Sequence, residues 1–279
     1  KMALLEITNV TKDFGGLEAL SNVSMQINDG DIISLIGPNG AGKTTLFNCI
    51  TGTMPPTSGS IKFLVTQLIG LPPHEVARQG IARTFQHIRL FNRMTVMDNV
   101  MVGNDYTGRT GIFSALLRPP RVAREENTSR EKCHEVLSLF GERLLPRLDQ
   151  SADMLSYANR RRLEIARALV SDPRLILLDE PTASLDLSHQ IRIMDLMERL
   201  KTEKAMTVVM VSHDVNLAAM YGDQLLLLKA GKIVCMGSPD AVLSYETLEA
   251  TYDCKLLVDK SPLGNLPRVT VVPHKFLKH

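Results

Sequence analysis

The chain has 279 residues, 44% of them hydrophobic and 22% charged, an ordinary composition for a globular protein with one large α/β domain or two smaller ones. A formal net charge of +2, with basic residues spread among nearly as many acidic ones, gives no electrostatic footprint for nucleic acid. The apolar runs are far shorter than the roughly 20 residues of a membrane span, and the N-terminus lacks a secretion signal's apolar core, so we expect a cytosolic protein.

The first predicted elements are two segments of alternating polarity, residues 5–10 and 23–27, separated by Gly15 and Gly16. This pattern is typical of half-buried antiparallel strands. Residues 32–36 are almost all apolar, which indicates a strand buried on both faces. That strand runs into the glycine-rich segment 37–45, which leads into a predicted helix.

The later elements alternate between helices and buried strands. A short helix is predicted from Pro73 to Gln79, closed by Gly80, and residues 103–124 predict mostly loop. Strands alternating with helices favour an α/β fold with a mainly parallel sheet covered on both faces. The remaining predictions are helices at about 125–140, 156–170 and 188–204, buried strands at 175–178 and 207–211, and short tail strands at 256–258 and 269–272.

A phosphate-binding loop is predicted at residues 37–44, which match G-x-x-x-x-G-K-[ST] between a strand and a helix. In such a loop the backbone N–H groups turn inward around phosphates, and the helix N-terminus adds partial positive charge. We expect Lys43 to reach the β- and γ-phosphates and the Thr44 hydroxyl to ligate Mg²⁺. The predicted nucleotide-binding residues are Gly37, Pro38, Asn39, Gly40, Ala41, Gly42, Lys43, Thr44 and Thr45.

Two acids, Asp179 and Glu180, follow the apolar run 175–178. A buried strand that delivers carboxylates at its C-terminal end, in a chain with a phosphate loop, is the Walker B arrangement. We expect Asp179 to hold Mg²⁺ through water and Glu180 to act as the general base on the attacking water. Taken alone, the pair could also be two solvated acids at a strand end.

Residues 155–169 resemble the signature region of the ABC ATPase family, an LSGGQ motif followed by a basic helix. Ser156 is a predicted N-cap that could bind an anion. The resemblance implies that this anion is the γ-phosphate held by another subunit, in a head-to-tail dimer that encloses two ATP molecules. Tyr157, Ala158 and Asn159 replace Gly, Gly and Gln. The Ala158 methyl group predicts slower turnover if this position needs a positive φ.

Four more residues fall in the order of the family's motifs. Gln86 resembles the Q-loop glutamine, which contacts Mg²⁺ or the attacking water, and Asp186 resembles the D-loop aspartate at the dimer interface. His213 resembles the switch histidine that contacts the γ-phosphate, and Phe14 resembles the aromatic residue that stacks on adenine. The alternatives are that His213 is a surface histidine and that Phe14 is a core residue. The resemblance implies catalytic roles for Glu180, His213 and Gln86, Mg²⁺ binding by Thr44, Gln86 and Asp179, and nucleotide contacts from Phe14, Ser156, Ala158 and Asp186.

The resemblance also implies the architecture. We expect a P-loop NTPase core with a mainly parallel sheet, an antiparallel β subdomain and an α-helical subdomain. The predicted ABC ATPase domain spans residues 1–237, with the helical subdomain at about 87–170 inserted in the core. Residues 238–279 form a C-terminal extension for which the sequence indicates no site.

Two importer branches contribute to the resemblance. Residues 83–91 and 162–167 are similar to ATPases of branched-chain amino-acid importers, whereas the chain from Pro181 onward looks more like ATPases of iron-chelate and cobalamin importers. The chain therefore resembles a composite of natural or constructed origin. The resemblance implies that the residues after Gln86 form the groove for the membrane subunit, so a branched-chain or other hydrophobic amino acid is the favoured substrate.

The predicted function is an ATP-binding and ATP-hydrolysing subunit that energises an importer, with ATP and Mg²⁺ as cofactors. Its expected partners are a second ATPase subunit, identical or paralogous, and transmembrane permease subunits. We expect no nucleic acid and a peripheral location on the inner face of the cell membrane. The alternatives are an iron-chelate or cobalamin importer, a nucleotide-binding protein with weak hydrolysis, or an ABC ATPase acting on DNA or ribosomes.

Overall fold

A computed structural model describes residues 3–104 and 120–276 of the chain. Its main sheet has the strand order β10-β9-β3-β8-β7-β6, in which β10 is an antiparallel edge strand and the other five are parallel. All residues of the third, seventh and eighth strands are buried, as the apolar runs predicted. The strands are β3 (Ile32–Ile36), β6 (Ile81–Arg83), β7 (Leu175–Asp179), β8 (Thr207–Val211), β9 (Gln224–Lys229) and β10 (Lys232–Gly237).

A second sheet is antiparallel and has the order β2-β1-β4-β5, which confirms the antiparallel strands expected near the N-terminus. The first two strands are longer than the alternating segments, because the pairing continues to the turn at Gly15 and Gly16. The strands are β1 (Ala3–Asp13), β2 (Glu18–Asn28), β4 (Ser58–Phe63) and β5 (Thr66–Gln67).

Helices cover the main sheet, and the helices that lie between β6 and β7 in the chain form a separate cluster. The α-helices are α1 (Lys43–Ile50), α2 (Pro73–Arg78), α3 (Val96–Asn104), α4 (Pro120–Ser138), α5 (Tyr157–Leu169), α6 (Leu187–Lys204), α7 (Val215–Tyr221), α8 (Pro239–Val242) and α9 (Tyr245–Tyr252). Short 3-10 helices occupy Gly141–Arg143, Leu145–Arg147, Ala152–Met154 and His274–Phe276. None of the helices in the described ranges is long and apolar enough to cross a membrane.

The prediction of a loop over residues 103–124 is wrong at both ends of that range. The helix α3 continues to Asn104, whose side-chain amide donates to Ser129 in α4 at 2.7 Å. The helix α4 begins at Pro120, since the fixed φ of proline suits the first turn of a helix. Residues 105–119 of the predicted loop lie outside the described residues.

The main sheet separates two hydrophobic cores. Ile176 and Leu178 of β7 pack into the core shared with helices α3 to α6, while Leu175 and Leu177 pack into the core shared with α1 and the antiparallel sheet. Alternation along a strand with both faces covered produces this division. Because β3, β6, β7, β8 and β9 are parallel, their carboxyl ends lie at one edge of the sheet.

The tail forms a third, smaller core against α7 and the end of β3. Its two predicted strands are confirmed as the antiparallel pair β11 (Leu256–Lys260) and β12 (Pro267–Val271). The Asn216 side chain of α7 donates to the Val269 carbonyl at 3.0 Å and accepts from the Val269 N–H at 2.7 Å. The boundary between a domain at 1–237 and an extension at 238–279 stays a prediction.

Candidate active site

The candidate site lies where the carboxyl ends of four parallel strands meet. The phosphate loop follows β3, and Gln86 comes three residues after β6. Asp179 ends β7 with Glu180 directly after it, and His213 comes two residues after β8. In open α/β sheets ligands bind in the crevice at this edge. Here the crevice is a cleft of about 280 Å³, lined by Ala19, Asn39, Gly40, Ala41, Gly42, Lys43, Thr44, Thr45, Gln86, Glu180 and His213.

The phosphate loop is closed around the Lys43 ammonium group. Lys43 Nζ donates to the carbonyl oxygens of Gly37 at 2.7 Å and Pro38 at 2.9 Å. Burial lowers the pKa of Lys43, while the charges of Glu180 and Asp179 raise it. The ammonium group is therefore held at the first turn of α1, where the helix N-terminus also favours anions.

Gly37 is required by close packing as well as by its backbone angle. A Cβ at Gly37 would lie 2.1 Å from the Leu228 carbonyl oxygen, and its φ is +144°. Gly40 in the same loop has φ +77° but open space around the Cβ position. The first glycine thus lets the loop start directly against β9.

We expect Gly37→Ala to lower the free energy of unfolding by more than about 2 kcal/mol, because the loop must shift away from β9 as well as adopt a strained φ. Gly40→Ala is the matched control, and left-handed strain alone should cost about 1 kcal/mol there. Thermal and urea unfolding without nucleotide would measure both. Equal destabilisation of the two variants would contradict the packing argument.

The Glu180 carboxylate is the meeting point of the three predicted catalytic side chains. Its Oε1 accepts a hydrogen bond from Gln86 Nε2 at 2.9 Å and lies 2.7 Å from His213 Nε2. An ionised carboxylate only accepts, so Nε2 of His213 carries the hydrogen in this contact. The side chain is 13% exposed and lines the cleft, where it can take a proton from a water molecule.

Asp179 is buried beside Glu180 and makes an ion pair that the sequence did not predict. Its Oδ2 lies 3.1 Å from Arg83 Nη2, and Arg83 Nη1 donates to the Asn48 side chain at 2.7 Å. Burial raises the pKa of Asp179, and Arg83 opposes that shift. The second carboxylate oxygen, Oδ1, is buried and has no hydrogen-bond partner among the described residues.

The donor set fits Mg²⁺. A buried carboxylate oxygen on Asp179 is unpaired, and the Thr44 hydroxyl and the Gln86 amide line the adjacent cleft. In the part of the chain that the structure describes, no cluster of three His, Cys, Asp or Glu side chains could hold a metal ion. Few protein ligands are what an ion held mainly by phosphate oxygens and water requires.

Seven predicted residues do not line the cleft: Gly37, Pro38 and Asp179, which are close to lining residues in the chain, and Phe14, Ser156, Ala158 and Asp186. Phe14 is 47% exposed in the turn between β1 and β2, with Lys12 Nζ 5.1 Å from its ring centre. Ser156 caps α5, its Oγ accepting from the Asn159 N–H at 3.4 Å, and Ala158 lies in the first turn of that helix without a positive φ. The condition under which Ala158 would slow turnover through backbone strain is therefore not met.

Asp186 caps α6. Its carboxylate accepts from the His189 N–H at 2.9 Å and from the Ser188 hydroxyl at 3.0 Å, and it contacts the His189 ring. These hydrogen bonds, the backbone one first, lower the pKa of Asp186 to about 2. Asp186 therefore stays ionised at neutral pH, where its charge favours the start of the helix.

The chain is similar in sequence and in structure to known ATP-binding cassettes. The family model described as ABC transporter matches residues 20–183. The high-affinity branched-chain amino acid transport ATP-binding protein LivG of Salmonella typhimurium is 38% identical over 239 residues, which cover 86% of this chain and 93% of that protein. A crystal structure of an ATP-binding cassette of an ABC transporter in its ADP conformation has a TM-score of 0.78 at 31% identity and covers 91% of this chain and 99% of that one. The dimeric structure of a bacterial ABC transporter cassette has a TM-score of 0.71 at 29% identity, covering 84% and 98%.

Proposed function

Because the chain belongs to the ABC transporter family as an ATP-binding, ATP-hydrolysing subunit that powers transport, we propose that it energises an importer of branched-chain amino acids. The observation that carries the substrate class is the similarity to LivG over most of both chains. The geometry supports hydrolysis, since a complete phosphate loop and a carboxylate held by Gln86 and His213 share one cleft.

In this proposal the phosphate loop and Lys43 bind the triphosphate, and Phe14 stacks on the adenine. Thr44, Asp179 and Gln86 would hold Mg²⁺, which supplies charge neutralisation on the phosphate oxygens. The exposed ring of Phe14 and the unpaired Oδ1 of Asp179 support these assignments.

Glu180 acts as general base on the water that attacks the γ-phosphate. Gln86 and His213 hold its Oε1, which leaves the other carboxylate oxygen free to turn toward the water. Once the proton is transferred, the same two donors stabilise the position of the carboxyl group. His213 also lines the cleft, which supports a contact of its side chain with the γ-phosphate.

The working unit is proposed to be a head-to-tail dimer. Ser156, Ala158 and Asp186 lie at the starts of α5 and α6 and do not line the cleft of their own subunit, so they can serve a nucleotide only across an interface. The similarity to a dimeric cassette supports this arrangement. The second subunit in this proposal is either identical or paralogous.

A groove of about 720 Å³ is the proposed docking surface for a permease subunit. Its walls come from α2, β6, α3, α5 and the segment after Gln86, and they are mainly apolar. The Arg89 guanidinium lies 4.3 Å from the Phe85 ring centre and that of Arg167 lies 5.8 Å from the Phe91 ring centre. An amphipathic helix with an acidic edge suits such a surface.

We expect Phe91→Asp to prevent co-purification of the chain with its membrane subunits, because Phe91 is 49% exposed in the groove and an aspartate would bury a charge against the partner. Val234→Asp is the matched control, since Val234 is 46% exposed on β10, away from the groove. Retention of the membrane subunits by Phe91→Asp would exclude the groove as their docking surface.

The substrate class can be tested by reconstituting the chain with membrane subunits co-purified from its source cells. ATP-dependent uptake of leucine, isoleucine or valine is expected, and uptake of an iron chelate or cobalamin instead would contradict the proposal. The match to LivG spans 239 residues and so extends beyond residue 181, while the composite origin of the second part stays a prediction.

A further inference from the structure

A buried ion pair on α5 lies outside the cleft and has no role in the chemistry described above. Arg161 is fully buried, and its Nη1 donates to Glu164 Oε2 at 2.7 Å. The two residues are three apart and therefore share one face of the helix. A buried guanidinium is costly unless acceptors meet its donors. Nε of Arg161 is buried without a hydrogen-bond partner among the described residues, so the acceptors of its two Nη atoms show what the side chain holds.

The other acceptors of Arg161 are main-chain carbonyls at the ends of β6 and β7. Nη1 donates to the Phe85 carbonyl at 2.7 Å, and Nη2 donates to the Glu180 carbonyl at 2.5 Å. Longer contacts reach the carbonyls of Asp179 at 3.3 Å and Gln86 at 3.4 Å. One guanidinium thus joins the two segments that carry the Glu180 carboxylate and its Gln86 donor.

The Glu180 backbone needs such support. Its φ of +53° is in the left-handed region, which costs a non-glycine residue energy and persists only where neighbouring groups fix it. Fixing the Glu180 carbonyl oxygen fixes the direction in which the side chain leaves the strand end. The side chain is then aimed at the cleft, where Gln86 and His213 meet it.

Glu164 anchors the guanidinium to the wall of the groove. Its Oε1 accepts from the N–H groups of Phe85 and Arg89, both at 3.3 Å, while Oε2 holds Arg161. Glu164, Phe85 and Arg89 all line the groove. The pair is therefore part of one hydrogen-bonded unit that runs from the groove wall to the Glu180 carbonyl.

We propose that Arg161, held by Glu164, is a positioning residue that fixes the left-handed Glu180 backbone and so aims the carboxylate at the attacking water. This inference rests on the proposed function, in which Glu180 is the general base. Neither side chain touches the nucleotide cleft. The pair should therefore affect the chemical step and leave ATP binding unchanged.

Arg161→Lys is the first test, since a lysine carries three donors on one atom and cannot span both strand ends. We expect kcat for ATP hydrolysis to fall about 10- to 100-fold, with the Kd of a fluorescent ATP analogue within about two-fold of wild type. Arg199→Lys is the matched control, because Arg199 also donates to a main-chain carbonyl, that of Leu139 at 3.2 Å, far from the cleft. A loss of affinity parallel to the loss of kcat would overturn the proposal.

A double-variant cycle separates positioning from a general structural effect. In a Glu180→Gln background, Arg161→Lys should change the residual single-turnover rate by less than about two-fold, because the group that it positions is already disabled. The same 10- to 100-fold fall in that background would contradict the inference. If Glu180→Gln itself leaves turnover intact, the proposed function fails; if only Arg161→Lys does so, the inference alone fails.

Glu164→Gln keeps the shape of the side chain and one carbonyl acceptor, and it provides a second route if Arg161→Lys does not fold. Like Arg161→Lys, it should lower kcat without changing the Kd for the ATP analogue, because the buried guanidinium loses its charged partner. Wild-type kcat in a folded Glu164→Gln protein would overturn the role of the pair.

Discussion

Replacing Glu180 with glutamine is expected to lower ATP turnover by at least about 100-fold, the contribution typical of a positioned general base. Glutamine keeps the size of the side chain and an Oε1 that can accept from Gln86 and His213, so the geometry of the cleft should persist. What is lost is the ability to take a proton from the attacking water. Steady-state phosphate release measures the effect.

ATP binding by Glu180→Gln should stay within a few-fold of wild type, because the phosphate loop and Lys43 are unchanged. The matched control is Glu246→Gln, at an exposed position in the first turn of α9. Wild-type turnover that is no greater than that of Glu180→Gln would contradict the assignment of this chain as a hydrolase. Such a result would favour a nucleotide-binding protein with weak hydrolysis.

The sequence predicted those parts of the site that are formed by residues contiguous in the chain. The phosphate loop and the acids at 179 and 180 each follow an apolar run that predicts a buried strand, and parallel strands bring their carboxyl ends to one edge. The convergence of Gln86, Glu180 and His213 follows from that topology. Gln86 and His213 each make a hydrogen bond with Glu180 there.

The contacts that the sequence did not reveal join residues far apart in the chain. Arg161 reaches the carbonyl of Phe85 across 76 residues, and Arg83 reaches Asp179 across 96. Both arginines stand in charged or mixed segments where a solvated surface position is the ordinary expectation. Arg161 is buried because α5 packs against the ends of β6 and β7, whereas Arg83 is buried between β7 and Asn48 of α1. No local pattern encodes either packing.

The local sequence pattern also gave a wrong prediction over residues 103–124, because proline and glycine are typical of loops. Gly103 lies inside α3, where its missing Cβ lets the helix approach the Arg167 carbonyl oxygen, which a Cβ would meet at 2.3 Å. Pro120 starts α4. The same residue types that break helices in their interiors serve at helix starts and at close contacts between helices.

Removing the Lys43 ammonium group is expected to weaken ATP binding by about 100-fold. Charge-assisted hydrogen bonds contribute about 1.5–3 kcal/mol each, and the loss of about 3 kcal/mol raises Kd by roughly that factor. Lys43→Ala is the variant, and titration with a fluorescent ATP analogue is the measurement. Lys62→Ala, an exposed lysine on β4, is the matched control and should bind as wild type does.

The structure predicts a second effect of Lys43→Ala, on the phosphate loop itself. Lys43 Nζ also donates to the carbonyls of Gly37 and Pro38, so its loss leaves both carbonyl groups of the loop without that donor. We therefore expect Lys43→Ala to loosen the loop before any nucleotide binds, seen as faster amide exchange over residues 37–44, with little change in the cores. A Kd within about three-fold of wild type would contradict the role of Lys43 in phosphate binding, because that change is under 1 kcal/mol. Unchanged amide exchange together with a raised Kd would instead show that Lys43 acts on the phosphates alone.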